Sequence, residues 1–479
     1  MGLEVLNNLE SKEVFRWFQE ISKIPRESRN EKAISDYLVS FAKDRNLEVY
    51  QDKMYNVIIK KKGTLGYENK PALIIQGHTD MVCEKTSDST HDFSKDPIDL
   101  IVEGDSLRAN NTTLGADDGI AIAIAMALLD SKDIPHPPLE LLATTVEETG
   151  MDGALAVTGE HLSGTTMINI DAEEEGVFLV SCAGGLTTLT EFDIKRELNN
   201  DDTYSIEVSN LKGGHSGIEI HNQRANAIKV LGRLLHSVRD NICLSKIYGG
   251  AKHNAIAKNA YALFTTKDFN SIKSTLDSLA LNIKNEYRVE DPDILIKIEK
   301  VEKAKEVIVK NISDNIIDFM MLVPDGVLYM SRDIEGLVQT SANNGILKEE
   351  NHKLEFTISI RSCVYSSLEE IKNIIETSAK RTNCSNFSIK SSYPAWEYDA
   401  NSRIKDIAPA IYKKVTGKEA KIEAIHAGLE CGILKRPLPN VDMISMGPNL
   451  YDVHTPNEHL SISSVDRVWK FLKELIINI

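Results

Sequence analysis

Short apolar segments alternate with helical patterns through the first 185 residues, and this alternation restricts that part of the chain to an α/β fold. The segment 31–47 repeats its apolar residues with helical spacing. Apolar runs bounded by glycine, proline or charged residues predict buried strands at Asn56–Ile59, Ala72–Ile75, Leu139–Ala143 and Thr166–Ile170. The segment Asp117–Leu129 is rich in alanine and isoleucine, which predicts a buried helix.

The pattern changes near Leu186, where strands of alternating polarity surround amphipathic helices in two successive groups. The first group begins with predicted strands near 186–194 and 203–209, and the helices of the two groups are predicted at 223–239, 269–286, 311–322 and 366–380. Each group has the element order of a split β-α-β unit, which predicts two ferredoxin-like halves. The α/β pattern returns near Trp396, with helices at 403–416 and 463–477. We therefore predict one domain made of residues 1–185 and 396–479, interrupted by an inserted α+β domain over residues 186–395.

Composition limits the classes of partner. A chain of 479 residues with a net charge of −16 argues for more than one domain and against a nucleic-acid partner, which needs basic surfaces. The first 30 residues lack the apolar core of a signal peptide, and no segment has the roughly 20 apolar residues that a membrane span needs. Six scattered cysteines suit free thiols in a reducing compartment: Cys83, Cys182, Cys243, Cys363, Cys384 and Cys431. We expect a cytoplasmic protein with no nucleic-acid and no membrane partner.

The residues Gly77-His78-Thr79-Asp80 follow a predicted buried strand, where functional residues of open α/β sheets tend to lie. Because His78 and Asp80 are two residues apart, a metal ion on the histidine would have the aspartate beside it. A plain turn with a capping aspartate and a surface histidine explains the pair equally well. The pair alone does not decide between the two.

Further acids and a histidine lie at the ends of other predicted elements: Asp117 and Asp118, Glu147 and Glu148, Asp171, and His454 within Tyr451–Glu458. Each has a structural explanation of its own, such as a helix cap or a solvated surface. Together, two histidines and three carboxylates are the ligand set expected for paired zinc-class ions. Such ions lower the pKa of a bound water to about 7, and an additional glutamate must stay unligated to take the proton.

The motifs resemble the co-catalytic zinc aminopeptidase/carboxypeptidase clan, which includes carboxypeptidase G, aminoacylase, tripeptidase and carnosinase. The matching motifs are His78-x-Asp80, Gly115-Ala-Asp117-Asp118-Gly119, Glu147-Glu148-Thr-Gly, Asp171, Gly213-Gly-His215-Ser216-Gly217 and His454-Thr-Pro-Asn. The strings 208–220 and 425–432 further resemble the bacterial aminoacyl-histidine (Xaa-His) dipeptidases, and the resemblance spans essentially the whole chain. It implies a mixed-sheet α/β/α catalytic domain of the zinc-peptidase type with an inserted lid domain. It also implies two Zn²⁺ ions as cofactors, with Mn²⁺ or Co²⁺ as alternatives.

Carried over by position, the resemblance implies a role for each acid and histidine. His78 would bind one ion and His454 the other, and Asp117 would bridge the two ions. Glu148 and Asp171 would each complete the ligand set of one ion. Glu147 would be the general base that takes a proton from the attacking water and later gives it to the leaving amine. Asp80 would hydrogen-bond the second ring nitrogen of His78. A cis peptide bond is implied between Asp117 and Asp118.

In the inserted domain, the resemblance makes His215 a lid residue that stabilises the oxyanion. A histidine at a helix start with no function is the alternative. Asn254 matches the family's lid asparagine, although Ala257 stands where relatives often have proline. Arg361 would hold the substrate's C-terminal carboxylate, with a surface strand arginine as the competing interpretation. We also expect two pocket-lining residues, His426 and Glu430.

The implied function is hydrolysis of small peptide substrates, with Xaa-His dipeptides preferred. A tripeptidase or an amidohydrolase of N-acyl amino acids from the same clan is the alternative. A non-catalytic peptide-binding relative is disfavoured because every expected ligand and the base are present. The sequence leaves a monomer and a homodimer both open.

Overall fold

The computed structural model describes residues 3–479, and a mixed eight-stranded sheet organises the part that carries the strand-end acids. The strands lie in the order Glu48–Gln51, Val57–Lys61, Leu139–Thr144, Leu73–His78, Thr166–Asn169, Asp442–Ser445, Val177–Cys182 and Lys421–Ile425. The third to sixth strands in this order are parallel to one another, and each remaining pairing whose register is known is antiparallel. The predicted mixed α/β fold class is confirmed.

The helices of this part of the chain pack against the sheet or against one another. They are Lys12–Ile21, Lys32–Asp44, Ala116–Asp130, Asp152–Ala156, Arg403–Thr416, Glu430–Lys435 and Ile462–Asn478, with a 3-10 helix at Leu3–Asn8. The helix Ala116–Asp130 is buried along almost its whole length, since it packs against both the strand Leu73–His78 and the helix Lys12–Ile21. This burial explains why its sequence has no polar face.

The register of the parallel strands brings three carboxyl ends to one edge of the sheet. His78 pairs with Thr144, and Gln76 pairs with Asn169. The segments that follow these strands therefore lie close together, because parallel strands end at the same edge.

A separate four-stranded sheet was not predicted from the sequence. Its strands lie in the order Leu450–Tyr451, His459–Ser461, Ser106–Ala109 and Leu100–Glu103. His454 belongs to the connection between the first two of these strands, so the sheet fixes both ends of the turn that carries it.

Strands between Gly184 and Tyr393 form an antiparallel nine-stranded sheet. Along its main path the strands are Leu295–Lys300, Asp202–Ser209, Ala260–Thr266, Cys243–Gly249, Val338–Glu350, Lys353–Ser362, Gly184–Asp193 and Asn386–Tyr393, and Gly326–Met330 also pairs with Val338–Glu350. A small separate sheet pairs Arg196–Leu198 with Glu306–Ile308. The helices are Ala227–His236, Phe269–Glu286, Lys310–Leu322 and Tyr365–Arg381, with 3-10 helices at Ile220–Asn222 and Arg239–Asn241.

The two halves of this sheet meet at a single paired position, Gly249 with Leu347. The strand Gly184–Asp193 pairs with Lys353–Ser362 and with Asn386–Tyr393. The sequence pattern had placed this strand in the first half. It lies in the second, because its partners come from more than 150 residues further along the chain, and a local pattern cannot identify such partners.

The contacts divide the chain into two units. One contains residues up to Ser181 with Tyr398–Ala424 and Leu429–Ile479, and the other contains Cys182–Glu397 with Ile425–Gly428. Of the two residues expected to line a pocket, His426 therefore belongs to the second unit and Glu430 to the first. No helix within residues 3–479 combines the length and the apolar character needed to cross a membrane.

Candidate metal centre

His78 ends a fully buried strand, and its two ring nitrogens face different groups. Its Nε2 atom lies 3.0 Å from Oδ1 of Asp117 and 3.7 Å from Oδ1 of Asp171. Its Nδ1 atom lies 3.1 Å from the carbonyl oxygen of Asp80 and 3.5 Å from that residue's carboxylate oxygen Oδ1. One ring nitrogen thus faces the strand-end acids, and the other is held by Asp80.

Asp117 faces two histidines with its two carboxylate oxygens. Oδ1 faces Nε2 of His78 at 3.0 Å, and Oδ2 faces Nε2 of His454 at 3.1 Å. The peptide bond between Asp117 and Asp118 is cis, as the motif resemblance implied. The carboxylate of Asp118 accepts a hydrogen bond from the backbone amide of His78 at 3.2 Å.

The adjacent glutamates after the strand Leu139–Thr144 have different surroundings. The carboxylate of Glu148 lies 3.0 Å from Nε2 of His454. The backbone amides of Glu147 and Glu148 donate to the carboxylate of Asp80 at 3.0 Å and 3.2 Å. The turn that carries both glutamates is therefore attached to the turn that carries His78.

Three overlapping groups of side chains have donor atoms close enough to hold a cation: His78, Asp118 and Asp171; His78, Glu147 and Glu148; and Asp117, Glu148 and His454. Within each group, the donor atoms all lie within 4.8 Å of one another. Imidazole nitrogens mixed with carboxylate oxygens are a donor set that zinc-class ions accept.

Burial and mutual repulsion disfavour negative charge in this cluster. Burial raises the pKa of Glu148 and of Asp171, and with neighbouring carboxylates it raises the pKa of Glu147 well above its usual range. For Asp117, burial acts in the same direction, but hydrogen bonds with His454 and His78 hold its pKa below the usual value. A cation would relieve the repulsion among these carboxylates.

The histidines compensate part of this charge. Hydrogen bonds to Asp117 and Glu148 raise the pKa of His454 to about 11. Burial opposes the charge on His78, but Asp117, Asp171 and Asp80 raise its pKa well above the usual value. Because a ligating imidazole must be neutral, protons and a metal ion would compete for the same nitrogens.

In the second unit, His215 has a defined tautomer. Its Nδ1 atom accepts hydrogen bonds from the backbone amides of Gly217 at 3.2 Å and Ile218 at 3.1 Å. Burial and the charge of Arg361 lower the pKa of His215. The neutral ring therefore carries its proton on Nε2, which is available as a donor. The carbonyl oxygen of Asn254 accepts a hydrogen bond from the amide of Ser216, beside His215, at 2.9 Å.

Arg361 and His426 each keep a buried nitrogen without a hydrogen-bond partner among the described residues. The Nη1 atom of Arg361 donates to the hydroxyl of Tyr393 at 2.7 Å, whereas its Nε atom lacks a partner. Nε2 of His426 lies 2.8 Å from the hydroxyl of Ser341, whereas its Nδ1 atom lacks a partner. Unpaired buried polar atoms are costly and often mark a ligand site.

Glu430 is fully buried, in the first unit. Its Oε2 atom accepts hydrogen bonds from the side-chain amide of Gln76 at 2.5 Å and from the hydroxyl of Thr144 at 2.7 Å. Burial raises its pKa to about 7. The sequence predicted a pocket-lining position, and the observed contacts are with the two central strands of the sheet.

The family model for Peptidase family M20/M25/M40 matches residues 74–478. The chain belongs to this family. It is a peptidase, and the resemblance inferred from its motifs is confirmed.

Individual M20-family relatives match over the whole length. The chain is 35% identical over 477 residues to the cytosol non-specific dipeptidase of Escherichia coli (strain K12), which covers 98% of both proteins. It is 34% identical to the crystal structure of aminoacylhistidine dipeptidase from Vibrio alginolyticus, with a TM-score of 0.94 over 99% of this chain and 98% of that one. The aminopeptidase PepT of Bacillus cereus, 13% identical with a TM-score of 0.57 over 98% of each chain, shares the fold.

Two buried charged residues of this M20-family chain were missed by the sequence reasoning. The carboxylate of Glu458 accepts backbone amides of the segment that carries Asp117. Arg26 donates to the carbonyl oxygen of Thr79, next to His78. The position of Glu458 four residues after His454 was the available signal, and Arg26 in the string Ile-Pro-Arg-Glu-Ser gave none.

Proposed function

We propose that this chain is a metal-dependent dipeptidase with two zinc-class ions. Its ligands would be His78, Asp117, Glu148, Asp171 and His454. The observation that carries the proposal is the position of Asp117, whose two oxygens lie 3.0 Å and 3.1 Å from Nε2 atoms of two different histidines. A carboxylate between two imidazoles has the arrangement needed to bridge two ions.

The donor chemistry supports this ligand set. Imidazole nitrogens and carboxylate oxygens converge, and the repulsion among the acids favours a divalent cation. Bound ions would polarise the scissile carbonyl group and lower the pKa of the attacking water. The second ring nitrogen of His78 faces Asp80, which is the orienting contact that a metal-binding histidine needs.

We assign the general-base role to Glu147. Burial and the surrounding carboxylates raise its pKa, which suits a group that must accept a proton near neutral pH. It would take the proton from the attacking water and pass it to the leaving amine. The amide of Glu147 is held by Asp80, so the base has a fixed backbone position.

Four residues of the second unit have side chains suited to binding a peptide. The Nε2 proton of His215 suits a donor to the oxyanion of a tetrahedral intermediate. The guanidinium of Arg361, with its unpaired Nε atom, suits the C-terminal carboxylate of a peptide. Asn254 and His426 are further candidate substrate contacts, and Glu430 would support the site through its hydrogen bonds with Gln76 and Thr144.

The substrate class rests on the relatives. One is named a non-specific dipeptidase and the other an aminoacylhistidine dipeptidase, so both names agree on dipeptides and differ on the C-terminal residue. We propose dipeptide hydrolysis with Xaa-His preferred, and a broad dipeptide range is the second candidate. The name of the Escherichia coli relative also supports a cytosolic location.

A substrate panel tests the proposal. Purified protein is stripped with a chelator, reloaded separately with Zn²⁺, Mn²⁺ or Co²⁺, and assayed on five substrates: carnosine, an α-linked Xaa-His dipeptide, a dipeptide without histidine, a tripeptide and an N-acetyl amino acid. We expect two ions per chain, activity restored by metal, and fastest cleavage of the Xaa-His dipeptides. Comparable rates on all dipeptides would favour the broad range. Cleavage of only the tripeptide or the N-acetyl amino acid would overturn the dipeptidase assignment.

A further inference from the structure

The carboxylate of Glu458 holds the segment that carries Asp117. The side chain is 2% exposed, and its two oxygens accept hydrogen bonds from four consecutive backbone amides. The donors are Leu114 at 2.8 Å, Gly115 at 3.0 Å, Ala116 at 2.8 Å and Asp117 at 3.3 Å. Glu458 itself lies in the turn of His454, where its amide donates to the carbonyl oxygen of Thr455 at 3.1 Å. One side chain therefore connects two segments with proposed ligands.

Arg26 connects the same segment to a third one. Its guanidinium is 2% exposed and donates to the carbonyl oxygens of Thr79 at 3.1 Å and Asp80 at 3.4 Å. It also donates to the carbonyl oxygen of Gly115 through a short hydrogen bond. The guanidinium of Arg26 thus binds both the segment that follows His78 and the segment that precedes Asp117.

The backbone at Gly115 and Gly119 approaches the guanidinium of Arg26 closely. Gly115 has a φ of 69°, and a Cβ atom at this position would lie 2.5 Å from Nη2 of Arg26. A Cβ atom at Gly119 would lie 2.6 Å from the same nitrogen. Glycine at both positions allows the backbone to approach the buried cation closely.

The charges of Arg26 and Glu458 are complementary. Glu458 is the strongest opposing charge on Arg26, and Asp80 and Asp118 add to it. A buried charge is tolerated when hydrogen bonds replace its hydration, and backbone groups supply such bonds to both side chains, while Nε of Arg26 has no partner among the described residues. Removing either side chain would leave the backbone groups that it holds without that contact, and their spacing would no longer be fixed.

We propose that Arg26 and Glu458 are positioning residues that set the spacing of the backbone segments carrying His78, Asp117 and His454. The proposal rests on the proposed dinuclear function, because it assigns these three residues as ligands. Neither Arg26 nor Glu458 would touch metal or substrate. Their effect is to fix three segments that are distant in sequence before any ion binds.

The test uses two variants of the whole chain and a matched control. Glu458→Gln keeps the size of the side chain but replaces one acceptor oxygen with an NH2 group. This group cannot accept hydrogen bonds from the backbone amides that face it. Arg26→Lys keeps the charge but cannot reach all three carbonyl groups with one planar fork. Circular dichroism checks that each variant folds.

Glu140→Gln is the control. Glu140 is also 2% exposed, and its carboxylate accepts the amides of Ser163 at 2.9 Å and Gly164 at 2.9 Å and the hydroxyl of Ser163 at 2.6 Å. Ser163 and Gly164 precede the strand Thr166–Asn169, so they lie at the opposite end of this strand from Asp171, and the carboxylate of Glu140 also lies 3.3 Å from Nζ of Lys60. The control therefore removes buried contacts of a similar kind at the end of the parallel strands away from the candidate metal centre.

Two measurements separate positioning from general stability. The first is Zn²⁺ affinity by competition with a fluorescent chelator, and the second is hydrogen exchange of residues 114–117 in the metal-free protein. We expect Glu458→Gln and Arg26→Lys to lose roughly 10–100-fold in affinity, with faster exchange in this segment. Glu140→Gln should lower the melting temperature and leave both readouts at the wild-type values.

Wild-type affinity and wild-type exchange in Glu458→Gln and Arg26→Lys would overturn the proposal, even if both variants melt earlier. If Glu458→Gln does not fold, Glu458→Asp replaces it with the same expectations. If the wild-type chain binds no zinc-class ion, the proposed function fails. In that case the exchange of residues 114–117 in the metal-free variants decides alone whether the two side chains hold the segment.

Discussion

The carboxylate of Asp80 accepts a hydrogen bond from the backbone amide of Glu147 at 3.0 Å. Its second oxygen accepts the amide of Glu148 at 3.2 Å and the hydroxyl of Ser28 at 2.8 Å. The ring of His78 faces the backbone carbonyl of Asp80 more closely than it faces the carboxylate, at 3.1 Å against 3.5 Å. Asp80 therefore holds the turn of the proposed base as well as the proposed ligand.

We predict that Asp80→Asn lowers kcat more than it lowers metal content. The asparagine would present its side-chain NH2 group to a backbone amide that needs an acceptor, which weakens the attachment of the turn that carries Glu147 and Glu148. The five proposed ligands remain, so the loss in kcat should be roughly 10–100-fold with nearly two ions still bound. Steady-state kinetics and metal analysis on the same preparation check this. Ser28→Ala, which removes one donor to the same carboxylate, should have a much smaller effect, and a parallel loss of metal and activity in Asp80→Asn would contradict the division of roles.

The adjacent glutamates should respond differently to the same substitution. Glu147→Gln should lower kcat by about 10²–10⁴-fold while both ions stay bound, because only the proton acceptor is lost. Glu148→Gln should lose metal, because its carboxylate lies 3.0 Å from Nε2 of His454. Each variant is the control for the other, and metal content against kcat is the measurement. Full metal content in Glu148→Gln would mean that Glu148 is not a metal ligand.

Tyr393→Phe should affect substrates that have a free C-terminal carboxylate. The hydroxyl of Tyr393 accepts a hydrogen bond from Arg361 at 2.7 Å, and its ring packs so closely on Gly185 and Gly428 that neither position has room for a Cβ atom. The ring is therefore fixed and can hold the guanidinium in place. We expect KM for a dipeptide to rise about tenfold with little change in kcat, as for the loss of one hydrogen bond to a charged group. The same dipeptide with a C-terminal amide is the control substrate, and an equal rise in its KM would argue against a carboxylate contact of Arg361.

Much of the fold could be predicted because helices and strands leave local patterns. The strand predicted at Leu139–Ala143 ends one residue later, and the helix predicted at 269–286 has those bounds. Strand pairing could not be predicted in the same way. Gly184–Asp193 pairs with a strand far along the chain, and the two-residue strand Leu450–Tyr451 is too short to give a periodic signal.

The candidate site was predictable where acids follow buried strands. His78 ends one parallel strand, and Glu147 and Asp171 follow its two neighbours, so a sheet-edge argument brings them together. Arg26 and Glu458 could not be found in this way, because their partners are backbone groups, which every residue has. The contact of Asp80 with the amide of Glu147 was missed for the same reason.

The acid dependence of stability should depend on His426. This residue is 6% exposed, and burial together with the charge of Arg361 lowers its pKa to about 3. In the unfolded chain it takes up a proton below its ordinary pKa of about 6.5, whereas in the folded chain it stays neutral down to about pH 3. The unfolded state therefore binds more protons in this window, so stability is complete above it and falls as the pH is lowered through it.

His426→Gln removes this titration while keeping a side-chain amide that can contact the hydroxyl of Ser341, the present partner of Nε2 at 2.8 Å. Between pH 6.5 and pH 4, we expect the free energy of unfolding to fall less steeply with decreasing pH in the variant than in the wild type. The two slopes should differ by up to about 1.4 kcal/mol per pH unit. Urea unfolding of both proteins at several pH values gives the two slopes. A difference between wild type and variant that stays constant across this range would mean that His426 binds its proton equally in both states. Burial beside Arg361 would then not lower the pKa of His426 in the folded chain.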